Sequence, residues 1–122
     1  MNIQTATRIC FQKYADFTGR ARRAEYWWFA VAVTLVTVVL TIVDIIAFDG
    51  LAEDIGVFST VFGLATMIPS FAVGARRLHD INRSGWWQLL WLVPIIGWVV
   101  LIYFLVRIGN AGDNQFGADP LA

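Results

Sequence analysis

The sequence predicts an all-α integral membrane protein with three transmembrane helices and an N-terminal amphipathic helix at the membrane interface. Of the 122 residues, 58% are hydrophobic and 15% are charged, against about 45–50% and about 25% in soluble domains. Three apolar runs, at 27–48, 55–73 and 86–106, are each long enough at about 1.5 Å per residue to cross a hydrocarbon core about 30 Å thick. The charged residues, except Asp44, all lie outside these runs. A chain of this length is at most one domain, so 1–122 is expected to form a single membrane domain.

Residues 3–17 precede the first run and carry apolar side chains at helical spacing. Ile3, Ala6, Cys10 and Tyr14 follow one another at intervals of three or four, which predicts an amphipathic helix in the membrane interface. The alternative is a helix packed onto the ends of its own bundle, and both can hold together. Cys10 is the one cysteine, so we expect a packing residue and no internal disulfide.

Positive charges are distributed unevenly among the segments between the runs. Five lysines and arginines precede the first run, none lies between the first and second, three precede the third, and one follows it. Cationic segments near span ends stay in the cytoplasm, so the N-terminus is expected inside and, for three crossings, the C-terminus outside. The first run is longer than the roughly 7–15 apolar residues of a signal peptide, so we expect an uncleaved anchor. Zero net charge gives no case for binding nucleic acid.

The second run is rich in small residues that share one helix face. The predicted helix-packing residues are Ser59, Gly63, Thr66, Ser70 and Gly74. Because lipid tails give helices no hydrophobic reason to associate, close approach through small residues supplies much of the attraction. We therefore expect this run to be the central helix, touched by both others or by a second copy of the chain.

The third run contains Pro94 and Gly97 close to its middle. The simplest interpretation is a kinked crossing, because neighbouring helices can satisfy the backbone groups that proline frees. The alternative is a hairpin, in which "WWQLLWL" enters as a short arm and the chain turns back at "PIIG". The hairpin would leave the tail on the cytoplasmic side.

Two tryptophan pairs stand at the starts of the first and third runs, each preceded by an arginine pair. The predicted interface anchors are Trp27, Trp28, Trp86 and Trp87. Tryptophan rings favour the depth of the lipid headgroups, and the arginines beside them would then lie among lipid phosphates.

The two basic segments contain residues that retention in the cytoplasm does not require, namely acids and the single histidine. The candidate binding residues are Arg20, Arg23, Glu25, Arg76, Arg77, His79, Asp80 and Arg83. We expect them to form an ordered network that binds an anionic lipid headgroup or a partner protein. The alternative is a purely structural salt-bridge cluster that ties two cytoplasmic ends together.

Catalysis has little support in the sequence. Ser84, His79 and Asp80 are the residue types of a hydrolase triad, but His79 and Asp80 are adjacent, so their side chains point apart on a helix. One histidine and one cysteine do not suffice for a zinc site, and no phosphate-binding glycine loop is present. We predict no enzyme activity, no cofactor and no metal. Asp44, near the outer end of the first run, is assigned to the outer interface in preference to an ion site.

The remaining tail, 107–122, is dense in glycine, asparagine and aspartate, which are turn residues. It is expected to be a turn-rich strap with Phe116 packed down, the alternative being an unstructured end.

Three motifs carry a resemblance to a known family: "FTGRARRAEYW" at 17–27, "RRLHDINRSGWW" at 76–87 and "GDNQFGADP" at 112–120. The chain resembles the domain-of-unknown-function 805 family of small bacterial inner-membrane proteins. Asn82 stands where the family often shows glycine, and asparagine also tolerates a left-handed backbone. The resemblance implies a multi-pass protein of the bacterial inner membrane and no established activity.

These observations favour a non-enzymatic membrane module that binds anionic lipid or a partner protein through a basic cytoplasmic face. The alternative is an oligomeric transporter or channel component, because three short spans could line a pore only as several copies. The expected partners are membrane lipids, with a protein partner or a homo-oligomer as further possibilities, and no nucleic acid.

Overall fold

The computed structural model describes residues 1–47 and 56–121, and the regular structure in them is helical. The elements are α1 (Ile3–Gln12), α2 (Arg23–Ala47), α3 (Val57–Asp80), a 3₁₀ segment (Gly85–Leu92) and α4 (Ile96–Val106). The predicted boundaries at residues 48 and 55 lie outside the described residues.

Two of these helices, α2 and α3, are long and apolar enough to cross a membrane. Their 25 and 24 residues reach about 37 and 36 Å. Leu35, Val39, Val61 and Leu64 are each more than half exposed on their outward faces. An apolar surface of this extent is unfavourable in water and suits a lipid environment.

The helix α3 continues to Asp80, past the predicted end of the second run at residue 73. It contains Pro69, which has no N–H and so leaves the carbonyl of Ala65 without its helical donor. The Tyr14 hydroxyl donates a hydrogen bond to this carbonyl. The proline is thereby accommodated by a tie to the segment that follows α1.

The helix α1 packs against α2 and α3 and ends at Gln12, earlier than the predicted residue 17. Its buried side chains are Ala6 and Cys10, and Cys10 joins Phe29 and Val73 in a hydrophobic cluster. The helix therefore packs on its own bundle, and its position in a membrane interface stays a prediction.

Asp44 in α2 caps the N-terminus of α3. Its carboxylate accepts hydrogen bonds from the backbone N–H groups of Phe58 and Ser59, each at 2.9 Å, and from the Ser59 hydroxyl at 2.7 Å. Carboxylates satisfy the otherwise unpaired N–H groups at helix starts. This cap joins the C-terminal end of α2 to the N-terminal end of α3.

The structure differs from the predicted single crossing over 86–106. The chain forms the 3₁₀ segment, turns at Pro94 and Ile95, and returns as α4. Ile95 has φ +66° and ψ −70°, and the N–H of Ile96 donates to the carbonyl of Pro94 at 2.8 Å. This is a γ-turn of the rare positive-φ kind. The physical reason for the reversal is therefore the tight turn directly after Pro94, a residue that also lacks the N–H needed to continue the hydrogen bonds of the preceding segment.

The two arms of this hairpin run antiparallel and have matching lengths. Eight residues of 3₁₀ helix and eleven of α-helix each reach about 16 Å, about half of a hydrocarbon core. Near the turn, the Trp98 indole N–H donates to the carbonyl of Trp91 at 2.9 Å. Near the open end, the rings of Trp87 and Phe104 meet edge to face at 5.6 Å.

The first arm begins, and the second arm ends, beside the C-terminus of α3. Phe104 and Leu105 of α4 form a buried cluster with Leu78 and Ile81. The tail after α4 then returns to Asp80, whose carbonyl accepts a 2.7 Å hydrogen bond from the N–H of Asn110. The start of α2, the end of α3, both ends of the hairpin and the tail therefore meet at one end of the molecule, which we call the arginine end.

Candidate functional site

Three arginines of the predicted binding network are buried at the arginine end. Arg20 and Arg77 both bind the carboxylate of Asp80, with nitrogen–oxygen distances of 2.9 and 2.7 Å. Arg77 and Asp80 are three residues apart on α3, so they face each other across one helical turn. Arg20 comes from the segment before α2, so this salt bridge joins two parts of the chain that are distant in sequence.

The third buried arginine, Arg76, pairs with Glu25 of α2 at 2.6 Å. Its remaining nitrogens, Nε and Nη2, have no hydrogen-bond acceptor among the described residues. They lie near the thiol of Cys10, and burial raises the pKa of that thiol to about 12. The Cys10 thiol therefore stays protonated at neutral pH.

The end of α4 is held by side chains from the other two helices. The Arg77 guanidinium donates to the carbonyls of Leu105, at 3.1 Å, and Arg107. Arg23 donates to the carbonyl of Val106 at 3.1 Å, and the Trp27 indole N–H donates to Leu105 at 3.1 Å. The last carbonyls of a helix have no helical donors and attract cations, so these contacts fix the returning arm of the hairpin.

The tail folds as a strap over Arg20. Its carbonyls at Asn110, Gly112 and Gly117 accept hydrogen bonds from the Arg20 guanidinium at 2.5, 2.6 and 3.3 Å. At Gly109 the strap passes so close to Asp80 that a Cβ atom would lie 1.9 Å from a carboxylate oxygen. Only glycine permits this approach.

His79 is held between the strap and the turn before α2. Its ring stacks on Phe116, with ring centroids 4.0 Å apart and planes 2° from parallel. Its Nδ1 lies 2.9 Å from the carbonyl oxygen of Gly19. Because a carbonyl only accepts hydrogen bonds, Nδ1 carries the hydrogen, and the neutral ring presents Nε2 as an acceptor.

The triad residue types do not form a relay in the described structure. Asp80 binds Arg20 and Arg77, and the Ser84 hydroxyl oxygen accepts the N–H of Trp86 at 3.2 Å. His79 uses Nδ1 for the carbonyl of Gly19. Each residue is therefore bonded to a group outside the triad.

Other cations of the arginine end face outward. Arg23 and Arg107 are exposed, and Arg22 and Arg83 are partly exposed. Within residues 1–47 and 56–121, these four form no ion pair with an acid. The Arg83 guanidinium lies over the rings of Trp87 and Phe104, 5.2 and 4.4 Å from their centroids, which is cation–π geometry. The positive charge of these four arginines is therefore not neutralised by any described acid on this face.

The four tryptophans predicted as interface anchors are all placed at the arginine end. Trp27 is partly buried against α4, whereas Trp28 and Trp87 are about two-fifths exposed and Trp86 is 79% exposed. Their depth in a bilayer stays a prediction.

The predicted packing stripe of α3 meets several different neighbours. Ser59 binds Asp44 of α2, and Thr66 is buried with its hydroxyl on the carbonyl of Phe62 at 2.9 Å. A Cβ atom on Gly74 would lie 2.3 Å from the side-chain oxygen of Gln88 in the 3₁₀ segment. Ser70 is partly buried, and a Cβ atom on Gly63 would meet no described atom within 4 Å. The use of this stripe between two copies stays a prediction.

Several residues that build the site were not among the predicted ones. Tyr14 satisfies the carbonyl freed by Pro69, and Gly109 and Asn110 dock the strap on Asp80. A proline within a long helix was a usable signal, because it requires a donor from elsewhere. Nothing in the spacing of the tail indicates that its carbonyls face Arg20.

The comparisons with known proteins agree with the motifs of the arginine end. The family described as "Protein of unknown function (DUF805)" matches residues 14–118, a range that includes the arginine cluster, the hairpin and most of the strap. The chain belongs to this family. The family resemblance predicted from the sequence is thus confirmed.

The curated relatives in this family are inner membrane proteins. "Inner membrane protein YhaH" of Escherichia coli strain K12 is 43% identical over 109 residues, covering 89% of this chain and 90% of the relative. "Inner membrane protein YhaI" of the same strain is 41% identical over 109 residues, covering 89% of each chain. No solved structure matches the chain. Together with the two apolar helices, these relatives support a membrane protein of the inner-membrane type.

Proposed function

We propose that this protein is a non-enzymatic inner-membrane module that binds anionic phospholipid at the rim of the arginine end. The observation that carries the proposal is the division of charge there. Three arginines are buried on acids and carbonyls, while Arg22, Arg23, Arg83 and Arg107 face outward without an acidic partner in the described part of the chain. Each cation near an anionic membrane surface contributes about 1 kcal/mol of attraction.

This proposal assigns lipid binding to fewer residues than the sequence predicted. Arg20, Arg76 and Arg77 have their side chains fully buried, and their ion pairs are made within the protein. A lipid phosphate could reach them only by displacing Asp80 or Glu25, which would leave a buried charge unpaired. We therefore assign these three arginines, with Glu25 and Asp80, to holding the fold, and the outward cations to lipid.

The same charges suggest the orientation in the membrane. Seven of the nine lysines and arginines are at the arginine end, and the link between α2 and α3 carries three acids and no cation. We propose that the arginine end is cytoplasmic. Two helices then cross the membrane, the hairpin enters and leaves on the cytoplasmic side, and both termini are cytoplasmic.

Replacing Arg22 and Arg107 together by glutamine tests the lipid site. Arg23 is left in place, because it also holds the carbonyl of Val106. Removing two surface cations, at about 1 kcal/mol each, is expected to weaken phosphatidylglycerol binding roughly 10- to 30-fold. Phosphatidylglycerol retained by the detergent-purified protein is measured by native mass spectrometry, with phosphatidylcholine as the neutral comparison.

The matched control replaces Arg8 of α1 and Lys13, which directly follows α1, by glutamine, and this changes the net charge equally. This control is expected to retain phosphatidylglycerol as the unmodified chain does. If both double variants lose the lipid equally, or neither loses it, the proposed rim site is wrong.

A further inference from the structure

The arginine end opens into a cavity that the cluster of ion pairs does not use. The cavity has a volume of about 480 Å³ and lies between the C-terminal half of α3, the 3₁₀ segment and the turn before α2. Its size falls within the roughly 300–1,000 Å³ of small-ligand sites.

The cavity walls change from polar to apolar along α3. Near the arginine end they include His79 and Ser84, and farther along they include Phe71, Leu89, Trp91 and Leu92. The one polar side chain that the described lining has in this farther part is Gln88, whose amide N–H donates to the carbonyl of Phe71 at 3.0 Å. His79 and Phe71 are eight positions apart on the helix, which corresponds to about 12 Å. A molecule that fills this space needs a polar group at one end and a hydrocarbon chain at the other.

The polar end presents one acceptor and one donor. His79 is 9% exposed, its Nδ1 is engaged by Gly19, and its Nε2 has no hydrogen-bond partner in the described part of the chain. Gly85 lines the cavity, and a Cβ atom on it would lie 3.8 Å from Nε2 of His79. The Nε2 atom therefore borders the cavity. The Ser84 oxygen accepts the N–H of Trp86, and its hydrogen is left to donate.

We infer that this cavity binds a phospholipid whose headgroup carries a hydroxyl, with that hydroxyl donating to Nε2 of His79. One acyl chain lies along Phe71, Leu89 and Leu92, and the Ser84 hydroxyl donates to a phosphate or ester oxygen. The inference rests on the proposed function, namely anionic-lipid binding at this end, and names the headgroup chemistry that the site prefers.

The chemistry of the described lining favours a hydroxyl over a bare phosphate. The lining contains no lysine or arginine, so charge alone does not hold a headgroup inside it. Nε2 as an acceptor repels the lone pairs of a phosphate diester and attracts an O–H group. A headgroup hydroxyl gives Nε2 a hydrogen bond that a group with lone pairs alone does not, so a ligand that supplies the hydrogen is selected over one that lacks it.

The comparison of phosphatidylglycerol with phosphatidylmethanol tests this inference. The two lipids have the same phosphate diester and single negative charge, but only phosphatidylglycerol carries headgroup hydroxyls. One net hydrogen bond corresponds to a preference for phosphatidylglycerol of roughly 2- to 10-fold. The preference is measured by native mass spectrometry on protein offered both lipids with identical acyl chains.

The variant His79→Asn tests the acceptor Nε2 separately from the hydrogen bond that Nδ1 makes to Gly19. The Asn side-chain N–H₂ can replace Nδ1–H toward Gly19, and no group replaces Nε2. The variant is expected to bind both lipids equally. A readout on the unmodified chain does not depend on folding of the variant: the ¹⁵N resonance of Nε2 should shift on adding phosphatidylglycerol to detergent micelles and not on adding phosphatidylmethanol.

Equal retention of both lipids by the unmodified chain, or an Nε2 resonance that responds equally to both, overturns the hydroxyl assignment and leaves the rim site standing. A preference that persists in His79→Asn places the hydroxyl contact elsewhere and also overturns it. If the folded chain retains neither lipid, this inference and the proposed function both fail.

Discussion

At the scale of single residues, the arginine end owes its stability to charges that are paired inside the protein. Asp80 pairs with two arginines at once, and Glu25 pairs with a third. The sequence named these residues as one group of candidates, because arginines, acids and a histidine stand close together in two segments; the structure pairs them in two separate sets. The sequence could not separate buried from outward arginines, because the strap that covers Arg20 and Arg77 lies 90 and 30 residues farther along the chain.

Replacing Asp80 by asparagine is expected to lower the free energy of unfolding by roughly 3–5 kcal/mol. The substitution leaves the guanidinium groups of Arg20 and Arg77 buried without their carboxylate. The measurement is a denaturant titration of the purified protein in detergent. Asp113→Asn, an exposed acid of the strap, is the control and should change stability by less than about 0.5 kcal/mol. Equal effects of the two substitutions would contradict the proposed role of the buried pairs.

Cys10 is expected to resist thiol reagents in the folded chain. Desolvation, with a smaller contribution from the Glu25 carboxylate, raises the pKa of its thiol from 9.0 to about 12. The unfolded chain loses this proton near pH 9 while the folded chain keeps it, so stability falls as the pH rises from about 9 toward 12. Maleimide labelling at about pH 8 should require denaturant. A cysteine placed at exposed Gln12 in a Cys10→Ala chain should label at once; rapid labelling of native Cys10 would refute the expectation.

At the scale of elements, the hairpin is the part that length and hydropathy cannot specify. An apolar run of this length fits one crossing of about 30 Å or two arms of about 16 Å each. The sequence indicated a kink or a turn near Pro94, but proline is compatible with both a kinked helix and a reversal. The outcome depends on the γ-turn at Ile95 and on the carbonyls of α4 that Arg77 and Trp27 hold.

The substitution Gly97→Ala tests the packing of the two arms. Its Cβ atom would lie 2.0 Å from the carbonyl oxygen of Leu90, so the arms must separate, at a cost of roughly 1–3 kcal/mol. Gly63→Ala in α3 is the matched control, because its Cβ atom has open space among the described atoms and alanine favours a helix by up to about 1 kcal/mol. Thermal unfolding in detergent distinguishes them; equal unfolding temperatures would show that the arms do not approach at Gly97.

At the scale of the whole molecule, the two long spans were predictable because each is a continuous apolar run bounded by charges. The cytoplasmic placement that we propose for the C-terminus was not, because it follows from the hairpin. The resulting arrangement collects the segment before α2, the end of α3, the hairpin ends and the strap into one assembly. The hydrogen bonds between these segments, many of them made by arginine, replace the helix-to-helix packing that a third crossing would have supplied.

Reporter fusions decide the topology. A fluorescent protein fused after residue 122 is expected to fluoresce, and alkaline phosphatase at the same position is expected to be inactive, because we propose that both termini are cytoplasmic. Insertion of the same reporters into the acidic link between α2 and α3 is the internal control and should give the opposite pair of signals. An active phosphatase after residue 122 would restore the third crossing.

The short reach of the hairpin has a consequence for the bilayer itself. In the proposed topology, two helices lie in the outer leaflet and two helices plus two hairpin arms in the inner one, so the molecule would have the outline of a wedge. A wedge displaces unequal numbers of lipids on its two sides, so membranes rich in this protein should bend, and the protein should concentrate where the bilayer is already curved.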